Sequence, residues 1–312
     1  MNKLPKTYDI VFNPKANSRE SLVTLEHLKT YLNPKGVAYV VHQTKHPGHA
    51  ADIVRRLLGD GRVNLVVMGG DGIIQDAIHG LEIITSGTPT HQSPALGIIP
   101  AGTGNDIAKM LGIPMDVHGA ADVLLRGRTS LVDFALVNGK IRSMSFVGYG
   151  IASEVVRGMQ ATLVSAQNQR MLGKYRYLMG LMSKMLRFRA SVYGFQWHGP
   201  EGRGEIEACK ADFLSIHNCI NAGGGMRLCD KARMDDGHLD LLVVQYHGKV
   251  RRILNLAAVM RGRLYTQPNV RIIPVYSAKI FTSDADCCVD GELVTLQGLE
   301  LEIVPSGLCV IH

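Results

Sequence analysis

The chain has 312 residues, with 34 lysines and arginines against 27 acidic residues and a formal net charge of +7. A hydrophobic fraction of 46% and a charged fraction of 20% exclude a disordered chain, and the length predicts about two domains. The sequence has no apolar run approaching the roughly 18 residues of a membrane-spanning helix, and its start lacks a signal-peptide pattern. Its six cysteines form no C-x-x-C pair, which argues against a zinc site and a disulfide scaffold. We therefore expect a cytoplasmic protein with reduced thiols.

The first 135 residues alternate between strand and helix patterns. Apolar runs at 8–12, 37–41, 63–68 and 96–99 predict strands, and each is followed by a helical segment. Nearly continuous apolar strands that alternate with helices are typical of a parallel sheet covered on both faces. This part of the chain is therefore predicted to be a three-layer α/β domain.

From about residue 134 the pattern changes. Residues 157–189 are helical or irregular in pattern, and short β-rich segments come after them. Those segments are 191–197, 212–217, 239–245, 270–273, 279–281, 287–289 and 299–304. Turn signals separate several of them, which predicts an antiparallel, all-β sandwich or barrel as the second domain. Because no long linker divides the chain, we expect the two halves to pack together.

Two glycine-rich loops follow strands of the predicted parallel sheet, Gly69-Gly70-Asp71-Gly72 and Gly102-Thr103-Gly104-Asn105-Asp106. Glycine lets the backbone approach phosphate closely, and ligands of such sheets bind outside the carboxyl ends of strands. A carboxylate beside a phosphate cradle suits Mg²⁺ or the activation of a nucleophile. Neither loop is a Rossmann or Walker A motif. The alternative for each loop is a tight turn in which Asp or Asn caps the next helix.

Two acidic turns lie in the second half of the chain. Asp236-Gly237-His238-Leu239-Asp240 runs into a predicted strand, and Asp290-Gly291-Glu292 lies between strands. Each string alone is typical of a plain turn, and that interpretation stays open. Only the combination with the two glycine loops gives these acids a functional interpretation.

Taken together, these motifs resemble the diacylglycerol kinase catalytic-domain superfamily, which includes bacterial lipid kinases, sphingosine kinases and ceramide kinases. The matching residues are Asn13-Pro14-Lys15, the two glycine loops, Asn218 with Gly223-Gly224-Gly225-Met226, and the two acidic turns. They occur in the family's order and span nearly the whole chain. The stretch 96–114, which contains the second glycine loop, is the most specific.

The resemblance implies an ATP-binding α/β domain and a β-sandwich lipid domain, with the active site in the cleft between them. It places the first domain at 1–133 and, through a returning last strand, at 300–312, and the second domain at 134–299. The ATP contacts that it implies are Asn13, Thr44, Gly69, Gly70, Asp71, Gly72, Ile73, Ile74, Gln75, Gly102, Thr103, Gly104 and Asn105.

The resemblance also implies a metal site and a catalytic base. In the bacterial members a structural Mg²⁺ is held by the Asp of the D-G-x-L motif and two nearby carbonyls, which map here to Asp236, Arg233 and His238. The proton acceptor maps to Glu292, with Asp290 beside it, and Asp71 is the competing candidate for the base. The implied activity is ATP- and Mg²⁺-dependent transfer of the γ-phosphoryl group to the hydroxyl of a diacylglycerol- or sphingoid-type lipid.

The chain departs from the family pattern at three places. Ile73-Ile74-Gln75-Asp76 stands where the family usually has Thr-x-Asn-Glu, so Ile73 has no hydroxyl for phosphate. Sphingosine and ceramide kinases also have an apolar residue at that position. Asp230 replaces the usual proline before the D-G motif, and Ala152 stands where an acid is common. These departures leave open the identity of the lipid more than the type of reaction.

The net charge is concentrated in two acid-free tracts. Residues 155–200 and 241–283 each carry seven basic residues and no acidic ones, which leaves 20 basic residues against 27 acidic ones elsewhere. Such tracts suit an anionic membrane surface, and 170–189 interleaves basic residues with Leu and Met as an interfacial helix would. The alternatives are ordinary solvated faces and, for 170–189, a core-facing stripe. We expect a lipid substrate and peripheral membrane association, and a homodimer stays open.

Two other classes of function stay open. A soluble-substrate kinase such as NAD kinase shares a G-G-D-G loop, although the G-T-G-N-D and D-G-E motifs argue against it. A non-catalytic lipid- or nucleotide-binding module is suggested by the changes at 73–76, although Asp71, Asp236 and Glu292 are retained. One tryptophan, 6% aromatic residues and the lack of a recognised motif argue against a nucleic-acid partner.

Overall fold

Parallel strands organise the first part of the chain in the computed structural model, which describes residues 7–14, 20–81, 94–165, 187–284, 286–296 and 298–312. The elements are β1 (Thr7–Phe12), α1 (Glu20–Leu32), β2 (Ala38–Gln43), α2 (His49–Gly59), β3 (Asn64–Gly69), α3 (Asp71–Ile78), β4 (Ala95–Pro100), α4 (Asp106–Met110) and α5 (Val117–Arg126). The strands pair in parallel in the order β2-β1-β3-β4. Val66 and Val67 are fully buried, as expected in a strand that is covered on both faces.

Helices cover both faces of this sheet. The Tyr31 hydroxyl in α1 donates to Asp122 in α5 at 2.6 Å, and Asp76 in α3 accepts from the Ala50 N–H in α2 at 3.1 Å. Because β2 and β3 lie on opposite sides of β1, right-handed crossovers place α1 and α2 on opposite faces. The predicted three-layer α/β domain is confirmed.

Antiparallel strands dominate the rest of the chain. The elements are β5 (Thr129–Val137), β6 (Ile141–Ser143), β7 (Phe146–Gly150), α6 (Ile151–Ser165), β8 (Ser191–Gly199), β9 (Gly202–His217), β10 (Asn221–Ala222), β11 (Met226–Arg227), β12 (Leu239–Gln245), α7 (Lys249–Met260), β13 (Val270–Val275), β14 (Ser277–Thr282), β15 (Asp286–Val289), β16 (Glu292–Thr295) and β17 (Leu299–Ile311). The long strand β9 pairs with β7, β8 and β12. The predicted β-sandwich domain is confirmed, with helices α6 and α7 added to it.

The last strand joins the two sheets. Ser277 to Ile280 in β14 pairs antiparallel with the first part of β17, while Cys309 to Ile311 pairs in parallel with Ala95 to Gly97 in β4. A continuous strand therefore runs from the second sheet into the first. The residues at which the chain divides into domains remain a prediction.

The largest hydrophobic cores of the two domains lie on either side of this junction. One is built around Phe12, Met68 and Leu28 in the first domain, and the other around Tyr149 and Tyr193 in the second. All six cysteines are buried with free thiols. Among the described residues, none of the helices is both long enough and apolar enough to cross a bilayer. Residues 170–186 of the predicted interfacial segment lie outside the described residues, as does Lys15.

Candidate active site

The carboxyl ends of the parallel strands meet at one edge of the first sheet. Asn13 follows β1, and the Thr44 N–H after β2 donates to the Phe12 carbonyl at 2.9 Å. The Ala101 N–H after β4 donates to the Gly69 carbonyl at the end of β3, also at 2.9 Å. The four segments that the motifs assign to ATP thus lie along one edge, which is where ligands of such sheets bind.

The two glycine loops touch each other through their backbones. A Cβ on Gly102 would lie 2.4 Å from the Gly70 Cα and 2.9 Å from the Gly70 nitrogen. A Cβ on Gly69 would lie 2.4 Å from the Ile73 Cγ2. Because the neighbour of Gly102 is backbone and cannot swing away, loop packing alone requires glycine at that position.

Asn105 closes the second loop from inside. Its Oδ1 accepts the Gly102 N–H at 3.0 Å, and its Nδ2 donates to the Gly102 carbonyl at 2.9 Å. Its backbone is left-handed, with φ of 52°, a conformation that asparagine adopts more readily than most residues. Asn105 therefore shapes the loop with its side chain and does not cap α4 with it.

Asp71 connects the two loops to each other. Its Oδ1 accepts the Ile107 N–H in the first turn of α4 at 3.0 Å. A Cβ on Gly104 would lie 2.9 Å from Asp71 Oδ2 and 3.2 Å from the Gly224 Cα. Gly104 is thus the point at which the Asp71 carboxylate of the first domain meets a loop of the second.

Asp106 holds that loop of the second domain in place. Its Oδ2 accepts the N–H groups of Gly224 at 3.0 Å and Gly225 at 3.2 Å. Gly223, Gly224 and Gly225 all have positive φ, between 63° and 95°, which favours glycine. The Asp106 Oδ1 is buried without a hydrogen-bond partner in the part of the chain that the structure describes. Asp106 belongs to the specific 96–114 motif, but sequence reasoning assigned it no role.

Three residues of the predicted nucleotide set have buried side chains, Thr44, Ile74 and Gln75. Ile74 is fully buried in the core of the first domain. Gln75 is also buried, and its Nε2 donates to the Arg142 carbonyl in β6. Gly72 and Thr103, by contrast, are exposed at the loop tips. The side chains of Ile74 and Gln75 thus serve packing, and the exposed loop tips are accessible to a ligand.

Asp290 holds a turn of the second domain together. Its carboxylate accepts hydrogen bonds from the Ser143 hydroxyl and from the N–H groups of Met144, Ser145 and Phe146, at 2.8 to 2.9 Å. Burial raises the pKa of Asp290, and the four hydrogen bonds lower it. Burial is the larger effect, and the pKa is raised to about 6. Asp290 is therefore a half-buried residue whose carboxylate fixes the backbone of the turn before β7.

Glu292 occupies a different environment from its neighbour. It is exposed at the start of β16, opposite Val289 in β15. The Asp290 N–H donates to the Phe146 carbonyl at 2.9 Å, which attaches this acidic turn to the start of β7. Of the two acids that the motif places here, only Glu292 faces outward, where a substrate can reach it.

Acidic residues from both domains act on one buried thiol. Burial raises the pKa of Cys219 well above its ordinary value, and the charges of Asp290, Asp71 and Asp106 raise it further. Interactions of this kind require the carboxylates to lie near the sulfur. Carboxylates from both domains thus raise the pKa of Cys219, a residue that sequence reasoning missed although it adjoins Asn218 of the family motif.

Asp133 supports the turn that was predicted to hold metal. Its Oδ2 accepts the Gly237 N–H at 2.8 Å, and its Oδ1 accepts the Ser306 N–H from β17 at 2.7 Å. The Asp133 N–H donates to the Met234 carbonyl at 2.6 Å. One carboxylate thus connects the turn to the strand that joins the two sheets, a role that the sequence did not indicate.

The turn itself contains the three predicted metal residues. Asp236 Oδ1 accepts the His238 N–H at 3.3 Å, and burial raises the pKa of Asp236. The Arg233 guanidinium donates to Asp235 at 3.0 Å. The backbone carbonyl is therefore the only group of Arg233 that is suited to a cation. Within the described residues, no group of three His, Cys, Asp or Glu side chains could hold a metal ion. The predicted site consists instead of one carboxylate and two carbonyls, and it remains a prediction.

Comparison with known proteins covers both parts of the chain. Residues 8–137 match the diacylglycerol kinase catalytic domain, and residues 153–312 match the YegS C-terminal NAD kinase beta sandwich-like domain. A Pectobacterium atrosepticum protein named probable lipid kinase YegS-like is 25% identical over 308 residues, covering 99% of this chain and 96% of that protein. A diacylglycerol kinase of Mycobacterium tuberculosis is 27% identical over 274 residues, covering 84% of this chain and 81% of that protein.

The fold has a solved counterpart. The crystal structure of a diacylglycerol kinase from Bacillus anthracis superimposes with a TM-score of 0.71 and 22% identity, covering 98% of this chain and 97% of that one. The fold and the two domain matches thus define the class of protein. It is a kinase built from an α/β catalytic domain and a β-sandwich. The chain belongs to the diacylglycerol kinase family, which confirms the resemblance of its motifs.

Proposed function

We propose that the protein transfers the γ-phosphoryl group of ATP to a hydroxyl of a membrane lipid of the diacylglycerol or sphingoid type. The observation that carries this proposal is the meeting of both glycine loops with the second domain at Gly104, beside Asp71 and Gly224. A phosphate chain held by backbone N–H groups at the strand ends leads towards this junction. An acceptor held by the second domain then approaches the terminal phosphate from the other side.

Nucleotide binding is assigned to the edge of the parallel sheet. Asn13 and Thr44 lie beyond β1 and β2, and the exposed tips Gly72 and Thr103 belong to the two glycine loops. Phosphoryl transfer depends mainly on positioning and on neutralising charge. Loops that fix each other through backbone contact are suited to that task, because they do not have to reorganise when phosphate binds.

Magnesium is the proposed cofactor, and the residues present fit it. The buried Asp106 Oδ1 has no partner among the described residues, and Asp71 lies on the same loop junction. Mg²⁺ prefers carboxylate oxygens together with substrate phosphates and water. When bound, it neutralises charge on the phosphate oxygens. We propose Asp71 for this ion, and Asp236 with the carbonyls of Arg233 and His238 for a structural one.

Glu292 is the proposed proton acceptor for the lipid hydroxyl. It is the outward-facing acid of the D-G-E turn, while Asp290 fixes that turn through its carboxylate. General-base assistance is worth about 10²–10⁴ in rate. Asp290 thereby positions Glu292 and does not itself take the proton.

A kinase of the soluble substrate NAD is the second candidate, because the second domain matches a family described as NAD kinase-like. The two candidates separate in one assay with γ-labelled ATP. Diacylglycerol, sphingosine and ceramide are offered in mixed micelles, and NAD is offered in solution. We expect labelled lipid and unlabelled NAD; labelled NADP, or no labelled lipid from any acceptor, would overturn the proposal.

We further propose that the enzyme works in the cytoplasm at a membrane surface, as a peripheral protein. The acid-free tracts 155–200 and 241–283 supply the positive charge for such a surface. They meet in the structure, because Arg252 in the second tract donates to the Phe188 carbonyl in the first at 2.7 Å.

A further inference from the structure

We propose that helix α7 docks on an anionic bilayer through an exposed apolar stripe; this inference rests on the proposed function, which needs a membrane lipid as acceptor. Val250 is 73% exposed, Ile253 45%, Leu254 49% and Met260 75%. Four of the twelve large hydrophobic residues exposed in the described parts of the chain thus lie on a single helix. Apolar surface concentrated in this way marks an interaction site, whereas scattered exposed residues do not.

The exposed apolar residues in the first half of α7 form one face. Val250, Ile253 and Leu254 follow the i, i+3, i+4 spacing of a helical stripe. The opposite face packs on the protein through its buried residues Arg252, Asn255 and Ala258. The helix therefore carries exposed aliphatic side chains on one face, while its inner face mixes polar residues with Ala258 and Val259.

Basic residues flank the apolar stripe. At 100° per residue, Lys249 and Arg251 lie about 100° to either side of Val250, and so on both edges of the stripe. Arg261 and Arg263 follow the helix and are exposed. The whole tract 241–283 contains no acidic residue. An apolar stripe between basic edges is the arrangement by which helices lie in the interface of anionic membranes.

A buried ion pair fixes α7 to the sheet. The Arg252 Nε donates to Asp212 Oδ1 in β9 at 3.1 Å, and both side chains are almost fully buried. The Arg252 guanidinium also lies over the rings of Tyr246 at 5.1 Å and Phe188 at 5.6 Å. Because its inner face is anchored in this way, α7 presents its outer face as a fixed surface.

The helix lies next to the candidate active site. A Cβ on Gly262, just beyond α7, would lie 3.4 Å from side-chain carbons of Arg227 in β11. Arg227 ends the hairpin whose loop donates N–H groups to Asp106. A bilayer that contacts α7 therefore meets the protein beside the loop where the two domains join.

The charges favour a membrane over a second copy of the chain. A symmetric dimer through this face would bring the Lys249 and Arg251 edges of two helices together, and like charges repel. Anionic head groups neutralise the same residues, and each lysine or arginine near such a surface adds to the attraction. The occupant that fits is therefore a lipid surface.

The test compares two variants of the full chain in co-sedimentation with vesicles. Ile253→Asp/Leu254→Asp changes the stripe, and Leu22→Asp/Val23→Asp changes an adjacent pair on α1 whose exposures, 44% and 52%, are nearly the same. With vesicles of phosphatidylcholine and phosphatidylglycerol, we expect the first variant to lose at least tenfold in binding and the second to bind like the wild type. Equal binding by both variants would overturn the proposal, and so would a change in oligomeric state of the first variant with unchanged vesicle binding.

A further variant of α7 reports docking without adding a charge. Val250→Trp places an indole on the stripe at a residue that is 73% exposed, in addition to the single natural tryptophan, Trp197. We expect its fluorescence to shift to the blue with anionic vesicles and to stay unchanged with phosphatidylcholine alone. No shift with anionic vesicles would contradict insertion.

Turnover of a water-soluble, short-chain diacylglycerol separates this inference from the proposed function. If only docking is lost, Ile253→Asp/Leu254→Asp phosphorylates the soluble lipid like the wild type and fails on vesicle-bound lipid. If the proposed function is wrong, the wild type phosphorylates neither lipid, while vesicle binding is still measured. An equal loss on both lipids would contradict docking as the role of the stripe.

Discussion

The Asp106 carboxylate of the first domain accepts the backbone N–H of Gly224 in the second domain, with 3.0 Å between oxygen and nitrogen. The Gly225 N–H bonds to the same oxygen. Asp106 is almost completely buried, and hydrogen bonds to a charged group are about twice as strong as neutral ones. A residue at the start of α4 therefore holds the two domains together beside the loops assigned to nucleotide.

Replacing Asp106 by Asn should weaken this link. The amide carries no charge, and its NH₂ group would be buried without an acceptor, so we expect a loss of about 2–3 kcal/mol in the free energy of unfolding. Urea unfolding measures it. Asp116→Asn is the control, because Asp116 caps α5 through the Gly119 N–H and asparagine caps equally well. Equal stability of the two variants would contradict the role of Asp106.

Gly102→Ala should disrupt the contact between the glycine loops. Its Cβ would lie 2.4 Å from the Gly70 Cα, so the loops have to separate, and we expect ATP affinity to fall at least tenfold in calorimetry. Gly59→Ala in α2 is the control, because nothing lies within 4 Å of its Cβ position. That change should leave ATP binding unaltered and leave stability unchanged or slightly raised. Normal ATP affinity in Gly102→Ala would show that the loop contact is dispensable.

The raised pKa of Asp290 should make stability depend on pH. Its pKa is raised from 3.8 to about 6 by burial, so the folded protein binds a proton that the unfolded chain has released. The contribution is fully present below pH 4 and is lost as the pH rises through about 6, with a size of up to about 3 kcal/mol. Unfolding measured from pH 4 to 7 should show this fall, and Asp290→Asn should lack it. An identical slope in the variant would assign the effect to another group.

The ion pair under α7 should be a large contributor to stability. Arg252→Ala leaves Asp212 charged, buried and unpaired, so we expect a loss of about 3–5 kcal/mol in denaturant unfolding. The pair Arg55–Asp52 is the control, a single contact of 2.8 Å within α2 with both side chains largely in solvent. Arg55→Ala should change stability very little. Similar losses of stability in both variants would show that burial does not determine how much an ion pair contributes to stability.

Elements with a conventional hydrophobic pattern were predictable from the sequence. The apolar run 63–68 corresponds to β3 (Asn64–Gly69), because a strand covered on both faces is apolar throughout. Helix α7 was not predicted, and its packing explains why. Several of its aliphatic side chains face solvent, and its inner face mixes Arg252 and Asn255 with Ala258 and Val259, so it has no continuous apolar stripe towards the core.

The candidate site was predictable in its parts but not in its connections. The glycine loops and acidic turns stand out as short motifs, since each is contiguous in sequence. The hydrogen bond between Asp106 and Gly224 joins residues 118 positions apart, and only the fold brings them together. The different environments of Asp290 and Glu292 were likewise hidden, because burial depends on the pairing of β15 with β7.

Magnesium dependence should distinguish the two acids proposed for catalysis. Asp71→Asn should slow transfer and be partly restored by higher Mg²⁺, because the change weakens the site for the ion. Glu292→Gln should not respond to Mg²⁺, because it removes a base. If higher Mg²⁺ restored the activity of Glu292→Gln, the assignment of Glu292 as the base would be wrong, and Glu292 would belong to the site for the ion.

The most direct measurement is the initial rate of transfer from γ-labelled ATP to lipid in mixed micelles, for the wild type and Glu292→Gln. We predict labelled lipid from the wild type and a rate lower by about 10²–10⁴ in the variant, with ATP affinity and thermal stability unchanged. A near-normal rate in the folded Glu292→Gln variant, or no labelled lipid from the wild type, would contradict the account.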